Sequence, residues 1–225
     1  MDVVGVDACG RQGWVGIRLT DGVYAGSMVA ARLADLLLHC PEAAAVGVDI
    51  PLGLPESGWR AADRAAKAFL GARHSSVFMA PPRPVWDVPD HPAANSLCRD
   101  LTGKGLSRQA FALRAKVLDA RECWTLDPER LHEVHPEVAF RAMAGTPLAH
   151  GKRSWGGQVL RRALLARQGI SLPDALGAAD TVPADDVLDA AAAAWSAHRV
   201  ATARSISLPD PPERDAAGRP ITITY

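Results

Sequence analysis

Asp7 closes a short apolar run, Val3-Val4-Gly5-Val6, and Asp49 sits near the end of a second, Ala45-Val46-Gly47-Val48-Asp49-Ile50. Carboxylates are rarely buried unless they are paired or bound to a cation. If the two runs are adjacent parallel strands, their ends lie about 4.8 Å apart. Two aspartates there repel unless a cation or a shared proton intervenes. A third acidic group follows late in the chain, Asp185-Asp186-Val187-Leu188-Asp189. On a helix, Asp186 and Asp189 are i,i+3 neighbours and Asp185 and Asp189 are i,i+4 neighbours, so either pair can face the strand ends. Oxygen donors of this kind suit Mg²⁺ or Mn²⁺. Two such ions about 3.5–4 Å apart activate a water and stabilise the leaving oxygen in phosphodiester cleavage. Taken singly, each acid has a plainer reading. Asp7 and Asp49 can cap the turns beside them, and Asp185 and Asp186 meet the helix dipole in a first turn. Asp189 lies too far inside for a cap.

Other side chains are candidates for supporting roles. Glu133 falls on a short strand, Leu131 to His135, and is an additional ligand candidate; His135 is a proton-carrier candidate, with Glu137 on its far side. The alternative is a turn network closed by Pro136. Phosphate contacts are expected from Arg73, Ser75, Lys104, Ser107, Arg108, Lys152 and Arg161. Gly103-Lys104-Gly105 before a helix can offer backbone N–H groups to a phosphate, but it is not a Walker A loop. Trp59, Trp86, Trp124 and Trp155 can stack on bases, though packing is the commoner use of tryptophan. His132-x-x-His135 lacks the partners zinc needs. No Gly-x-Ser-x-Gly elbow or cysteine–histidine nucleophile pattern is present.

These residues need a scaffold. Val3 to Val6, Trp14 to Leu19 and Val23 to Val29 read as three strands, and Thr20-Asp21-Gly22 supplies a hairpin turn between the last two. Ala31 to Leu38 reads as a short helix before the strand that ends at Asp49. Strand, crossover and parallel strand are thereby implied. Helices are expected over Trp59–Leu70, Ser107–Cys123, Pro136–Met143, Ser154–Gln168 and Pro183–Val200, with 79–92 irregular because of its prolines. Ile221 to Thr224 reads as an extended tail.

The chain has 225 residues, 48% hydrophobic and 22% charged. These are globular values. They fit a single domain over 1–225 whose residues 56–125 form a helical, proline-rich insertion. No apolar run approaches the roughly 20 residues of a membrane span, and Met1-Asp2-Val3-Val4 lacks the basic start of a secretory signal. Four scattered cysteines form no Cys-x-x-Cys pair, so reduced thiols in a cytoplasmic protein are expected. Net charge is zero, but its distribution is uneven. Residues 56–125 carry 11 basic and 7 acidic side chains, 138–173 carry 6 basic and none acidic, and the remainder carries 8 basic and 18 acidic. An acidic framework with two basic segments can hold cations beside phosphates. The alternative is solvated basic helix faces. Nucleic acid, DNA or RNA, is the expected partner, and a homodimer is left open.

The order of these features resembles the ribonuclease-H-like nuclease and integrase superfamily. Asp186-Val187-Leu188-Asp189-Ala190 is similar to the acidic helix of RuvC-type resolvases. More narrowly, the chain resembles the domain of unknown function 429 family, predicted nucleases of that fold. The residues that carry this likeness are Gly5-Val6-Asp7 with Gly13-Trp14, Asp49-Ile50-Pro51-Leu52-Gly53-Leu54-Pro55, Ser75-Ser76-Val77-Phe78, Gly103-Lys104-Gly105-Leu106-Ser107, Glu133-Val134-His135-Pro136-Glu137 and Asp185-Asp186-Val187-Leu188-Asp189-Ala190. The resemblance implies a mixed five-stranded α/β sheet, a three-strand meander plus parallel strands, flanked by helices. It also implies an Mg²⁺- or Mn²⁺-dependent nuclease working through two ions on Asp7, Asp49, Asp186 and Asp189, with Glu133 assisting. Two departures from RuvC-type enzymes stand out: the fourth-strand acid is the shorter Asp49 in place of Glu, and 56–125 has no counterpart there. Two other readings stay open, an actin-like nucleotide-binding or phosphotransfer protein and a non-catalytic partner-binding module.

Overall fold

The computed structural model describes residues 1–225, apart from the side chain of Arg11. Three strands open the chain, β1 (Asp2–Ala8), β2 (Trp14–Thr20) and β3 (Val23–Ala30). They pair as an antiparallel meander. The β2–β3 turn has φ of 49° at Asp21 and 82° at Gly22, the two positive values a tight hairpin turn requires. Helix α1 (Leu33–Leu38) leads to β4 (Ala45–Val48), which pairs with β1 in parallel.

Residues 56–125 form α2 (Ala61–Leu70), α3 (Arg83–Asp87), α4 (His91–Thr102), α5 (Arg108–Phe111) and α6 (Arg114–Leu126). Strand β5 (Leu131–Glu133) follows, parallel to β4. Then come α7 (Pro136–Ala144), α8 (Trp155–Arg167) and α9 (Ala184–Ala201). A second sheet of two antiparallel strands, β6 (Ser207–Arg214) and β7 (Pro220–Thr224), ends the chain. The main sheet runs β3-β2-β1-β4-β5. The protein is thus a mixed α/β fold, with a mixed sheet between two helical layers. Among the described residues, no helix is long and apolar enough to cross a membrane.

Several expected elements differ. The proline-rich stretch 79–92 is not irregular throughout, since it contains α3 and the start of α4. Prolines sit in the first turns of both helices, where the missing N–H costs no hydrogen bond. Ser107–Cys123 breaks into α5 and α6. The tail pairs with β6, whose prolines had hidden it.

The strand alternation decides which residues meet α9. On β1, Val3 joins the apolar layer that contains α9, whereas Val4 and Val6 join the opposite layer with Trp14, Leu33 and Trp86. On β4, Ala45 joins the first layer, and Val46 and Val48 join the second. A side-chain period of two then places Gly5, Asp7, Gly47 and Asp49 all on the α9 face. The glycines set the distance. A Cβ on Gly5 would lie 1.9 Å from the Ala194 nitrogen, and one on Gly47 would lie 2.6 Å from the Ala193 carbonyl oxygen. Residues Ala190 to Ala194 are completely buried against this seam. A bare strand pair and an alanine face thus let α9 lie directly on the sheet.

Candidate metal centre

The close approach of α9 carries Asp189 over the ends of β1 and β4. One carboxylate oxygen each from Asp7, Asp49 and Asp189 lies within 4.8 Å of the others. Asp49 is just past β4, but its N–H still donates to the Val6 carbonyl at 2.9 Å, so the ladder holds it level with Asp7. The Ala8 N–H donates to Asp7 Oδ1 at 2.7 Å. Asp189 lies on the second turn of α9.

Lys152 is the cation closest at hand. Its Nζ donates to Asp189 Oδ2 at 2.5 Å and lies 4.0 Å from Asp185 Oδ2. The turn that carries it is fixed by the cap of α8, where Ser154 Oγ accepts the Gly157 N–H and donates to the Gly151 carbonyl. Asp189 is only 2% exposed, and its Oδ1 has no hydrogen-bond partner. Asp185 pairs instead with Arg153, with Nε 3.3 Å from Oδ2. Asp186 is half-buried and lies outside the convergent three. It sits three residues, about 4.5 Å of helix rise, further toward the start of α9.

The electrostatics follow from this crowding. Burial pushes the Asp7 carboxyl well above the usual carboxylate range, and Asp49, Asp189 and Asp186 push it further, against Lys152. Burial lifts Asp49 to about 7 against the pull of Lys152, with Asp186 and Glu137 adding to the rise. Burial also lifts Asp189 to about 7, opposed by Lys152 and reinforced by Asp49. Burial disfavours the Lys152 ammonium, but Asp189, Asp7 and Asp49 outweigh it and raise its pKa. When ionised, the trio holds more negative charge than Lys152 neutralises, and a divalent cation is the group that fits its hard oxygen donors.

The trio opens into a cleft of about 330 Å³ whose walls include Arg73, Ser76, Phe78, Glu133, His135 and Glu137. Glu133 reaches this cleft, but both its oxygens are engaged. Oε2 accepts the Leu52 N–H at 2.8 Å, and Oε1 pairs with Arg60. It therefore ties down the loop after Asp49. Arg60 is completely buried and also faces Asp63 at 3.5 Å. Arg161, expected to meet phosphate, is completely buried instead. It pairs with Glu137 and donates to the His150 and Gly157 carbonyls, because the buried Glu137 needs a cation. Arg73 stands at the cleft, 3.7 Å from the same Glu137 oxygen, and Glu137 Oε2 is buried without a partner. Burial lowers the pKa of His135 despite Asp189, Glu137 and Asp63, and its Nδ1 has no hydrogen-bond partner.

The other expected phosphate contacts do not line this cleft. Ser75 is exposed on the 3₁₀ turn after α2, and Arg108 is exposed on α5. Lys104 and Ser107 line a second cleft of about 460 Å³ with Trp59, Phe78 and Arg64; Phe78 borders both clefts. Trp86 and Trp124 are buried packing residues, whereas Trp155 is 81% exposed. Sequence reasoning missed Arg60 and Asp63. The signal was present: Asp63 shares a face with Ala62, Ala66 and Leu70, all buried, which is unusual for an unpaired aspartate.

Fold and site together define a mixed α/β protein with an acidic trio at the carboxyl ends of two parallel strands. The chain belongs to the family described as Protein of unknown function (DUF429), whose model matches residues 5–214. That span contains the whole trio and Lys152. No curated protein and no solved structure matches the chain.

Proposed function

We propose that this protein is a divalent-metal-dependent nuclease of the ribonuclease-H-like class, hydrolysing phosphodiester bonds of nucleic acid. The observation that carries the reading is the convergence of Asp7, Asp49 and Asp189 within 4.8 Å. Three further features support it. The main sheet is a three-strand meander, β1 to β3, with β4 and β5 parallel to β1, which agrees with the meander plus parallel strands that the resemblance implies. The acids come from the first strand, the fourth strand and a late helix. Basic side chains stand around the acids and not only far from them.

Asp7, Asp49 and Asp189 would hold Mg²⁺ or Mn²⁺. When bound, such an ion polarises a phosphoryl oxygen and lowers the pKa of its water. The protein's own residues supply the rest. Arg73 at the cleft wall orients a phosphate by paired N–H donors. His135 lines the cleft, and burial keeps it neutral and so able to accept a proton. Trp155, beside the exposed Arg153, offers an open aromatic face to an unpaired base. The loop from Asp49 to Leu52, anchored by Glu133, keeps the second aspartate from drifting.

The experiment is cleavage of labelled single strands, RNA–DNA hybrids and branched DNA by purified protein with Mg²⁺ or Mn²⁺. Hydrolysis is expected with the wild type and is lost in Asp7→Asn. Activity that survives Asp7→Asn unchanged removes the assignment.

A further inference from the structure

Three acids converge in the cleft, yet one of them already carries a cation. Lys152 Nζ holds Asp189 Oδ2 at 2.5 Å. Asp189 Oδ1 remains, buried and without a hydrogen-bond partner. The carboxylates just outside the trio are balanced. Glu133 and Asp63 face Arg60, Glu137 faces Arg161 and Arg73, and Asp185 faces Arg153. Four acids are set against four arginines. The inner group is not balanced: once ionised, as cation binding requires, Asp7, Asp49 and Asp189 carry three negative charges and Lys152 one positive. The deficit is two charges, which one divalent ion cancels. Asp186, half-buried at the edge of the group, lies outside the convergent three.

We infer that Lys152 stands in place of a second metal ion, so that the centre takes one divalent cation and one fixed ammonium. This rests on the proposed metal-dependent nuclease reading and departs from the two-ion form expected from the sequence. Lys152 is a positioning residue. It occupies one oxygen of Asp189 and leaves the other for the ion. Its side chain is 35% exposed and lines the cleft. A lysine ammonium has three donors and can hold a carboxylate and a phosphate oxygen together. The charge is covalently tethered and always present, so the site needs only one ion from solution to become neutral.

The test counts ions directly, by calorimetric titration of Mn²⁺ into purified full-length protein, checked by the electron paramagnetic resonance signal of free Mn²⁺. The wild type is expected to bind one Mn²⁺ per chain. Lys152→Met is expected to bind two, and Lys152→Arg to return to one. A wild-type count of two overturns the inference while leaving the metal-dependent reading intact. So does a count of one for Lys152→Met with unchanged affinity. Should Lys152→Met fail to fold, the wild-type count still decides. Absence of Mn²⁺ binding in folded wild-type protein overturns both the inference and the reading beneath it.

Discussion

Two groups of buried carboxylates share one cleft and are treated differently. Glu133 and Asp63 meet Arg60, and Glu137 meets Arg161, both arginines completely sealed from water. Asp7, Asp49 and Asp189 have only Lys152 among them. In the first group three carboxylates face three arginines, Arg60, Arg161 and the nearby Arg73, and the gain is a fixed loop and a fixed helix. In the second, charge is left over. Unbalanced charge among buried carboxylates favours a cation, because a buried ion without partners is strongly disfavoured. Both groups are buried, and they differ in their cations: three arginines for three acids in one, a single lysine for three acids in the other.

The contrast is broken most sharply by deleting one acid from each group. Asp7→Asn is expected to lower cleavage by roughly 100-fold or more, beyond what loss of an outer-shell partner costs. At a pH high enough to ionise the trio, the same substitution is expected to raise the melting temperature of the chelator-treated protein, since it removes one of three repelling charges. A melting experiment in chelator, run beside the cleavage assay, checks both. Arg60→Met should behave in the opposite way. It leaves Glu133 and Asp63 buried without their cation and is expected to destabilise by about 3–5 kcal/mol, as measured by urea unfolding. Equal stability changes of the same sign in the two variants would erase the distinction.

Gly5→Ala probes the seam that creates the site. Its Cβ has no room beside the Ala194 nitrogen, so α9 must lift from β1 and carry Asp189 away. Overpacking of this kind costs about 1–3 kcal/mol. Mn²⁺ affinity is expected to fall together with stability, and affinity that holds while stability falls would show that the seam does not position the acid.

The smallest effect is the response to pH. Asp49 and Asp189 titrate near 7 in the folded chain, mainly through burial. In the unfolded chain an aspartate titrates near 3.9. Between these values the folded state binds more protons than the unfolded one. The contribution is fully present below about 4 and is lost as pH rises through about 7. Metal-free protein should therefore melt at a lower temperature at pH 8 than at pH 5.5, and saturating Mg²⁺ should shrink that difference. A melting temperature that rises across this range in chelator would contradict the account.

Much of the centre was legible in the residue pattern. Valine-rich runs ending in Asp7 and Asp49, with Gly5 and Gly47 two residues before them, specify strands whose acids share a face. Asp189 was less legible than Asp186, because helical spacing offers both. Only the resting place of α9 on the glycine seam decides between them. Strand β6 escaped notice because Pro209, Pro211 and Pro212 read as loop, although an edge strand tolerates proline. Helix α4 was hidden for a similar reason: its Asp90 cap, which accepts the Ala93 N–H, and Pro92 fall in the proline-rich stretch. Arg161 looked like a phosphate contact because its partner Glu137 lies 24 residues away, and no local pattern reports a distant charge.

The central claim is that Asp7, Asp49 and Asp189 together hold a divalent ion. It is tested most directly by growing crystals with Mn²⁺ and locating the ion from its anomalous scattering. The account predicts an ion in contact with oxygens of all three aspartates and not in contact with Glu133. Crystals in which saturating Mn²⁺ leaves the three carboxylates held only by Lys152 and water, or settles on Glu133 instead, would contradict it.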